Sequence, residues 1–183
     1  MEWVYREIEG VGRLLFKEGL VSARSGNISR AFTNDLFITR TGSNLGALRK
    51  EDIIELPLGE EHILDDRASV ELPVHRRIIL ETGTSAVVHA HPTYTLLISY
   101  TLDSIVPVDS EGREILGNVP VIELQKPSAS EELAREASRV LKSSPVVVVR
   151  GHGVFACGRE LFRAYSLVST LEHSCKILFL KGL

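Results

Sequence analysis

Cysteine is scarce in this chain, and long apolar runs are missing. Cys157 and Cys175 are its two cysteines, which is too few for a disulfide framework, and neither belongs to a Cys-x-x-Cys pair. No apolar stretch approaches the length of a membrane span. The first residues, 1–7, carry acidic charge and lack the apolar centre of a signal peptide. We therefore expect a cytoplasmic protein with no membrane partner.

An excess of positive charge is also missing, and so are the common nucleotide-binding motifs. The net charge of -3 gives no electrostatic reason to expect nucleic acid as a partner. The chain contains neither G-x-G-x-x-G nor G-x-x-x-x-G-K-S/T, so neither of these Gly-rich phosphate loops is present. What remains is ordinary for a globular protein, because 183 residues, 44% of them hydrophobic, suit one domain with a substantial core.

Hydrophobic periodicity predicts an irregular alternation of helices and strands. The helices are expected over residues 2–19, 70–81, 93–100, 130–142 and 159–180. The strands are expected over residues 36–39, 50–58, 86–91, 119–124, 145–149 and 154–157. Residues 21–30 are small and polar and indicate a turn, while Gly112 and Gly117 indicate loop structure. This alternation favours a layered α/β domain over a helical bundle or a β-sandwich.

Three histidines stand at the ends of two apolar runs. His89 and His91 are two residues apart, so on an extended strand both point to one face. His152 follows the second run and is flanked by glycines, which leave room beside its imidazole. A lone His-x-His is more often packing or surface chemistry, but the second run makes ligation the stronger interpretation. Three neutral imidazoles bind Zn²⁺ and leave a position open for substrate, as in catalytic sites.

The other three histidines lack this context. His62 lies in a charged stretch and is expected in solvent, and His173 falls in the last predicted helix, where packing between helices is the simpler interpretation. His75 stays unassigned, four residues after Glu71. Glu71 itself either stabilises the helix dipole or, if it lies near the metal, acts as a fourth ligand or a general base.

Two Gly-bearing turns carry hydroxyl and amide groups. One is Ser25-Gly26-Asn27 and the other is Thr41-Gly42-Ser43, with Arg24 and Arg40 next to them. Such turns can present backbone N–H groups to a phosphate. Most turns of this composition only reverse the chain, so the tripeptides alone leave both interpretations open.

Taken in order, these segments resemble the class II, zinc-dependent aldolase and adducin family, typified by fuculose-1-phosphate aldolase. The resemblance covers nearly the whole chain, and the ordered set is far more specific than any one motif. The segments that carry it are Gly19-Leu20-Val21-Ser22, Ser25-Gly26-Asn27-Ile28-Ser29, Ile38-Thr39-Arg40-Thr41-Gly42, Ser69-Val70-Glu71-Leu72-Pro73-Val74-His75, Ala86-Val87-Val88-His89-Ala90-His91, Gly151-His152-Gly153-Val154 and the final helix with Leu171-Glu172-His173.

The resemblance implies a fold, an assembly and a site. The fold is an α/β three-layer sandwich, α/β/α, with a largely antiparallel central sheet, and residues 1–183 form a single domain of this kind. The assembly is a C4 homotetramer with its sites at subunit interfaces. The metal is Zn²⁺, with another divalent ion as the alternative. The implied metal ligands are His89, His91 and His152, with Glu71 beside the metal as ligand and acid/base, and the implied phosphate cradle is Gly26, Asn27, Thr41, Gly42 and Ser69.

The resemblance also implies a reaction. A metal-dependent aldolase cleaves a ketose 1-phosphate, such as fuculose 1-phosphate, to dihydroxyacetone phosphate and a small aldehyde such as lactaldehyde. Glu71 favours this cleavage over the sugar-phosphate 4-epimerases of the family, which have Asp there. A methylthioribulose-1-phosphate dehydratase has a similar site and is the alternative. An adducin-like binding module is disfavoured, because a scaffold does not need three histidines and a carboxylate. The chain departs from the pattern at Val70, where a serine is usual, and in 124–128, where no tyrosine occurs.

Overall fold

A computed structural model describes residues 1–182 of the chain. An eight-stranded sheet runs through it, in the order β3-β2-β1-β4-β8-β7-β6-β5. The strands are β1 Asn27–Phe32, β2 Asp35–Thr39, β3 Ile53–Pro57, β4 Ala86–Ala90, β5 Ser104–Ile105, β6 Val119–Ile122, β7 Val146–Val149 and β8 Gly153–Gly158. The helices are α1 Glu2–Lys17, α2 Leu72–Thr82, α3 Thr93–Ser99, α4 Ser110–Leu116, α5 Glu131–Leu141 and α6 Leu161–Lys181.

The sheet is mixed but largely antiparallel. Its neighbouring strands pair antiparallel, apart from the parallel pair β6–β7. Two buried apolar clusters lie on its opposite faces, since Val146 and Val148 join one cluster while Val147 and Val149 join the other. This alternation follows from the two-residue period of a strand. The first cluster includes side chains of α1, α3, α4 and α6, and the second includes those of α2 and α5. The expected α/β/α sandwich is confirmed.

Local sequence signals account for several helix ends. Ser130 caps α5 with its hydroxyl, which accepts a hydrogen bond from the Leu133 N–H at 3.0 Å. Gly83 ends α2 with φ of 69°, a left-handed conformation that glycine adopts without a steric penalty. Within residues 1–182, no helix is long and apolar enough to cross a membrane.

Three expectations about local structure are wrong. Residues 27–30, expected within the polar stretch 21–30, belong to the central strand β1. Gly112 lies inside α4 rather than in a loop; a side chain there would meet the Ser174 hydroxyl at 2.2 Å, so only glycine fits without a shift. His173 is exposed on α6 and does not pack between helices. His62 is exposed, as expected.

Candidate active site

The three histidines meet at one edge of the central strands. His89 lies in β4, His91 follows that strand directly, and His152 occupies the turn between β7 and β8. The antiparallel pairing of β4 with β8 brings the two chain segments together. Gly153 makes the approach feasible, because a side chain there would lie 2.6 Å from His89 Cε1 and 2.9 Å from His91 Cδ2. His89 and His91 therefore point to the same side, as their two-residue spacing on a strand predicts.

The nitrogen atoms of this cluster suit a metal ion. One ring nitrogen from each of His89, His91 and His152 lies within 4.8 Å of the others, and His89 Nε2 is 2.8 Å from His91 Nε2. His89 Nδ1 lies 3.0 Å from the Val154 carbonyl oxygen, which can only accept. Nδ1 therefore carries the proton, and the lone pair of Nε2 faces the cluster, as in metal sites whose ligand histidines donate to a carbonyl.

The remaining ligand atoms support the same interpretation. His152 Nε2 is buried and has no hydrogen-bond partner among the described residues. Burial lowers the pKa of His89 to about 3 and that of His91 to about 4. Both imidazoles are consequently neutral at pH 7, which is the form that binds a metal. His152 Nε2 makes no hydrogen bond of good geometry, although Glu71 Oε1 lies 3.3 Å away, and it stands beside the Nε2 lone pair of His89. This arrangement fits a divalent cation of the Zn²⁺ type.

Glu71 lies against this cluster. It directly precedes α2, and its side chain is 3% exposed. Its carboxylate oxygens are 3.4 Å from His89 Nε2 and 3.3 Å from His152 Nε2. Burial raises the pKa of this carboxyl, but His89, His152 and His75 outweigh burial, so the pKa lies well below its ordinary value. Glu71 is therefore an ionised carboxylate next to the three imidazoles.

The candidate phosphate residues share one pocket with the histidines. The pocket has a volume of about 240 Å³. Its lining includes the residues Gly26, Asn27, Thr41, Gly42 and Ser69, together with Arg24, Arg40, Ser128, Glu71 and the three histidines. The two Gly-bearing turns thus converge on the candidate metal cluster from separate parts of the chain.

Two hydroxyl groups of this pocket already have hydrogen-bond partners within the chain. The Thr41 hydroxyl is occupied, because it accepts from the Val70 N–H at 2.9 Å and donates to the Ala68 carbonyl. The Ser69 hydroxyl accepts from the Glu71 N–H. Gly42 has φ of 75°, and a side chain there would meet the Arg24 guanidinium at 3.0 Å. Glycine at this position therefore lets Arg24 lie over the turn.

This combination of fold and site matches a known family. The family model described as "Class II Aldolase and Adducin N-terminal domain" matches residues 6–179. The chain belongs to this family. L-fuculose-1-phosphate aldolase from Thermus thermophilus, a solved structure, superimposes with a TM-score of 0.94 at 37% identity, covering 100% of this chain and 95% of that chain.

Sequence relatives of the class II aldolase family carry more than one activity. An L-fuculose phosphate aldolase of Methanocaldococcus jannaschii is 27% identical over 169 residues, covering 92% of this chain and 91% of the relative. A 3-oxo-tetronate 4-phosphate decarboxylase of Pectobacterium atrosepticum is 30% identical over 186 residues, covering 96% of this chain and 84% of the relative. The chain is therefore an enzyme of the lyase type, in a family that depends on a divalent metal and acts on phosphorylated sugars.

Two contacts of Glu71 were not predicted from the sequence. The Ser128 hydroxyl, in the segment 124–128 where no tyrosine occurs, lies 3.4 Å from Glu71 Oε1. Asn27 Nδ2 lies 3.5 Å from Glu71 Oε2, and Asn27 in turn contacts His75. The two-residue spacing of Asn27 and Ser29 places both side chains on one face of a strand. This spacing could have indicated their shared contact with His75 only if residues 27–32 had been known to form a strand.

Buried neutral imidazoles make the stability of the metal-free protein depend on pH. Burial holds the pKa values of His75, His89 and His91 at about 3, 3 and 4, below the ordinary 6.5. Below pH 6.5 the unfolded chain therefore binds more protons than the folded chain, and the free energy of unfolding falls as the pH falls. We expect a loss of up to about 1.4 kcal/mol per pH unit for each histidine.

Urea unfolding of the metal-free protein at pH 7.5, 6 and 5 measures this dependence. His75→Gln removes one of the three imidazoles and is expected to reduce the slope by about a third. A free energy of unfolding that stays constant over this range would contradict the neutral, buried state of these side chains.

Proposed function

We propose that this chain is a metal-dependent aldolase that reversibly cleaves a ketose 1-phosphate to dihydroxyacetone phosphate and a small aldehyde. Fuculose 1-phosphate is the first candidate substrate, with lactaldehyde as its aldehyde product. The observation that carries the proposal is the position of the buried Glu71 carboxylate, within 3.4 Å of two of three convergent imidazoles. A pocket that also contains two phosphate-type turns supports it.

The three imidazoles would hold the cofactor. His89, His91 and His152 supply neutral nitrogen ligands, a set that suits Zn²⁺. When bound, the cation supplies Lewis-acid stabilisation of negative charge that develops on substrate oxygens during bond cleavage. The Val154 carbonyl keeps His89 in the tautomer that presents Nε2 to the cluster.

Glu71 would move the proton at the reacting carbon. In cleavage the C3–C4 bond breaks, the aldehyde leaves, and the electron pair remains on C3 of the dihydroxyacetone phosphate fragment. Glu71 takes up one proton from solvent when the substrate binds and delivers it to C3, while the C4 hydroxyl gives its proton to a group of a neighbouring subunit, which returns it to solvent. In the synthetic direction the Glu71 carboxylate removes the C3 proton. Because Glu71 is buried and ionised, it starts the synthetic direction as a base.

The phosphate would bind where the two Gly-bearing turns meet. Gly26 and Gly42 both adopt positive φ values, 79° and 75°, in turns that present backbone N–H groups to an anion. Arg24, lying over Gly42, adds a charged donor to a pocket that has Val70 where a serine is usual. Asn27, the Ser69 hydroxyl, which can still donate, and Thr41 through its backbone complete the proposed cradle.

Arg24→Ala should raise KM for the phosphorylated ketose by about tenfold or more, because a hydrogen bond to a charged group contributes about 1.5–3 kcal/mol. The value of kcat should change less. Steady-state kinetics measures both constants, and Arg24→Lys, which keeps the charge but loses the planar fork, is expected to be intermediate. An Arg24→Ala enzyme with unchanged KM would exclude Arg24 from phosphate binding.

We further propose that the 183 residues act as one domain within a C4 homotetramer. Apolar side chains remain exposed on the side of α3 and α6, including Leu97, Tyr100 and Leu180, which are 45%, 65% and 70% exposed. Burial of such groups in a subunit interface would be favourable. Native mass spectrometry of the zinc-loaded protein measures the assembly, and a monomer at micromolar concentration would contradict it.

Decarboxylation is a second candidate. Aldol cleavage requires a group that takes the proton of the C4 hydroxyl, yet the pocket lining within residues 1–182 contains no tyrosine, no lysine and no carboxylate besides Glu71. Loss of CO₂ from a 3-oxo 4-phosphate sugar acid leaves the same carbanion of dihydroxyacetone phosphate without that proton transfer. The 30% identical decarboxylase relative supports this alternative. Under the aldolase proposal, a neighbouring subunit supplies the missing group.

The test is a substrate panel assayed for three products. Ketose 1-phosphates, methylthioribulose 1-phosphate and 3-oxo-tetronate 4-phosphate are offered before chelation, after chelation and after restoration of Zn²⁺. Dihydroxyacetone phosphate together with an aldehyde indicates the aldolase. Dihydroxyacetone phosphate together with CO₂ indicates the decarboxylase. Consumption of methylthioribulose 1-phosphate without release of dihydroxyacetone phosphate, aldehyde or CO₂ indicates the dehydratase. A folded, metal-loaded protein that consumes none of them would contradict the proposal.

A further inference from the structure

His75 is a fully buried side chain to which the proposed chemistry gives no role. It lies in the first turn of α2. Its ring contacts β1 at two points: Nε2 is 2.5 Å from Asn27 Oδ1, and Nδ1 is 2.6 Å from Ser29 Oγ. Asn27 and Ser29 are two residues apart on the strand and therefore point to the same face. His75 thus bridges two polar side chains below the pocket.

The partners of His75 determine its tautomer. Asn27 Oδ1 can only accept a hydrogen bond, so His75 Nε2 must carry the proton. Burial lowers the pKa of His75 to about 3, and the neutral ring therefore has a lone pair on Nδ1. The Ser29 hydroxyl donates to that lone pair. Every polar atom of the imidazole is then satisfied, which a buried polar group requires.

The same contacts determine which way the Asn27 amide faces. Its Nδ2 lies 3.5 Å from Glu71 Oε2, and Asn27 is the register partner of His89 on β4. If the amide were turned over, Oδ1 would face the Glu71 carboxylate, and the two amide hydrogens would face the N–H of His75. The first contact would be repulsive, and the second would force the His75 ring into the Nδ1–H tautomer. His75 therefore favours one orientation of an amide that lies between the carboxylate and a candidate metal ligand.

We propose that His75 is a positioning residue of this site: by donating from Nε2–H to Asn27 Oδ1, it keeps the Asn27 amide with its N–H groups toward Glu71 and the pocket. One N–H restrains Glu71 Oε2, and the other is presented to a substrate oxygen. This inference deepens the proposed function and rests on it for the identity of the substrate. Ser29 contributes through His75, and neither residue touches the reacting atoms.

Two substitutions of His75 test the role in the zinc-loaded enzyme. His75→Gln retains a donor for Asn27 and an acceptor for Ser29, whereas His75→Leu has a similar volume and retains neither. The Leu variant should lose about 10–100-fold in kcat/KM, the range seen when an outer-shell partner of a metal ligand is removed. The Gln variant should retain most of the activity. Both should keep stoichiometric zinc, and equal losses in the two variants would overturn the inference.

A double-mutant cycle separates positioning from general stability. If His75 acts through Asn27, then His75→Leu should cause no further loss of kcat/KM in an Asn27→Ala background. If His75 only stabilises the fold, its loss should add to that of Asn27→Ala in full. Additive losses would therefore overturn the inference.

A spectroscopic measurement tests the orientation without any substrate. In zinc-loaded protein labelled with ¹⁵N-histidine, the nitrogen shifts of His75 should be those of the Nε2–H tautomer. The Asn27 side-chain amide signals should shift in His75→Leu and stay nearly unchanged in His75→Gln. An Nδ1–H tautomer would overturn the inference even if the enzyme cleaves ketose 1-phosphates. The expected tautomer in a protein that cleaves no substrate would support the orientation and contradict the proposed function instead.

Discussion

Replacement of Glu71 by glutamine should lower kcat for cleavage by about 10²–10⁴-fold, the usual contribution of a positioned general acid or base. Glutamine has nearly the same shape, but its amide cannot exchange a proton with C3. The contact with Asn27 can persist, because Gln also has an oxygen that accepts from Nδ2. The zinc content should stay stoichiometric, because the three imidazoles of His89, His91 and His152 are retained.

The conservative variant Glu71→Asp provides the matched control. It keeps a carboxylate but withdraws it by one methylene from a pocket in which Glu71 lies within 3.4 Å of two imidazoles. We expect activity between those of the wild type and Glu71→Gln, since proton transfer depends on reach as well as on pKa. A folded, zinc-loaded Glu71→Gln enzyme that cleaves the substrate at the wild-type rate would show that the base is another group.

Loss of one imidazole should remove both the metal and the activity. His152→Ala leaves two of the three nitrogens, and its affinity for Zn²⁺ should fall by more than the roughly 10–100-fold that outer-shell changes cause. His152 is the best choice, because it lies in a turn. His89 also bonds the Val154 carbonyl and stacks on Phe155 at 4.1 Å, so its removal would disturb the core as well.

The control for this variant is another histidine. His62 and His173 are both exposed and lie outside the lining of the site pocket. Alanine at either position should leave zinc content and cleavage unchanged. Zinc content is measured by atomic absorption after dialysis, and activity is measured before and after Zn²⁺ is added back. A His152→Ala protein that retains stoichiometric zinc would place the metal elsewhere.

Much of the site could be predicted because its signals are local. The two-residue period of a strand already places His89 and His91 on one face, and glycines beside His152 indicate a close approach. The structure adds that Gly153 has no room for a side chain next to both imidazoles. The helix caps Ser130 and Gly83 are equally local, because each is a residue type that favours its cap position.

The strand β1 could not be predicted, because two of its buried positions carry polar side chains. Asn27 and Ser29 are 9% and 0% exposed, yet neither joins the apolar core; both bond to His75. A periodicity argument assumes that buried positions are apolar, and this strand breaks the assumption where the site is built. Asn27, whose sequence context resembles a turn, here lines the pocket, and Ser29 supports it through His75.

The distance between Glu71 and the histidines could not be derived from spacing either. Eighteen positions separate Glu71 from His89, and their contact depends on how α2 packs against β4. From the sequence, only the family resemblance connected the carboxylate with the cluster. The role of Arg24 illustrates the same limit, since its place over Gly42 depends on a turn that lies far along the chain.

Hydrogen exchange at C3 of dihydroxyacetone phosphate tests the central claim most directly, because it needs neither the aldehyde nor the sugar acid. The zinc-loaded protein and dihydroxyacetone phosphate are mixed in D₂O, and loss of one C3 proton signal is followed by NMR. We predict exchange that stops on chelation, returns with Zn²⁺ and falls by at least about 10²-fold in Glu71→Gln. No exchange by the folded, zinc-loaded wild type, or equal exchange by Glu71→Gln, would contradict the proposed role of this site.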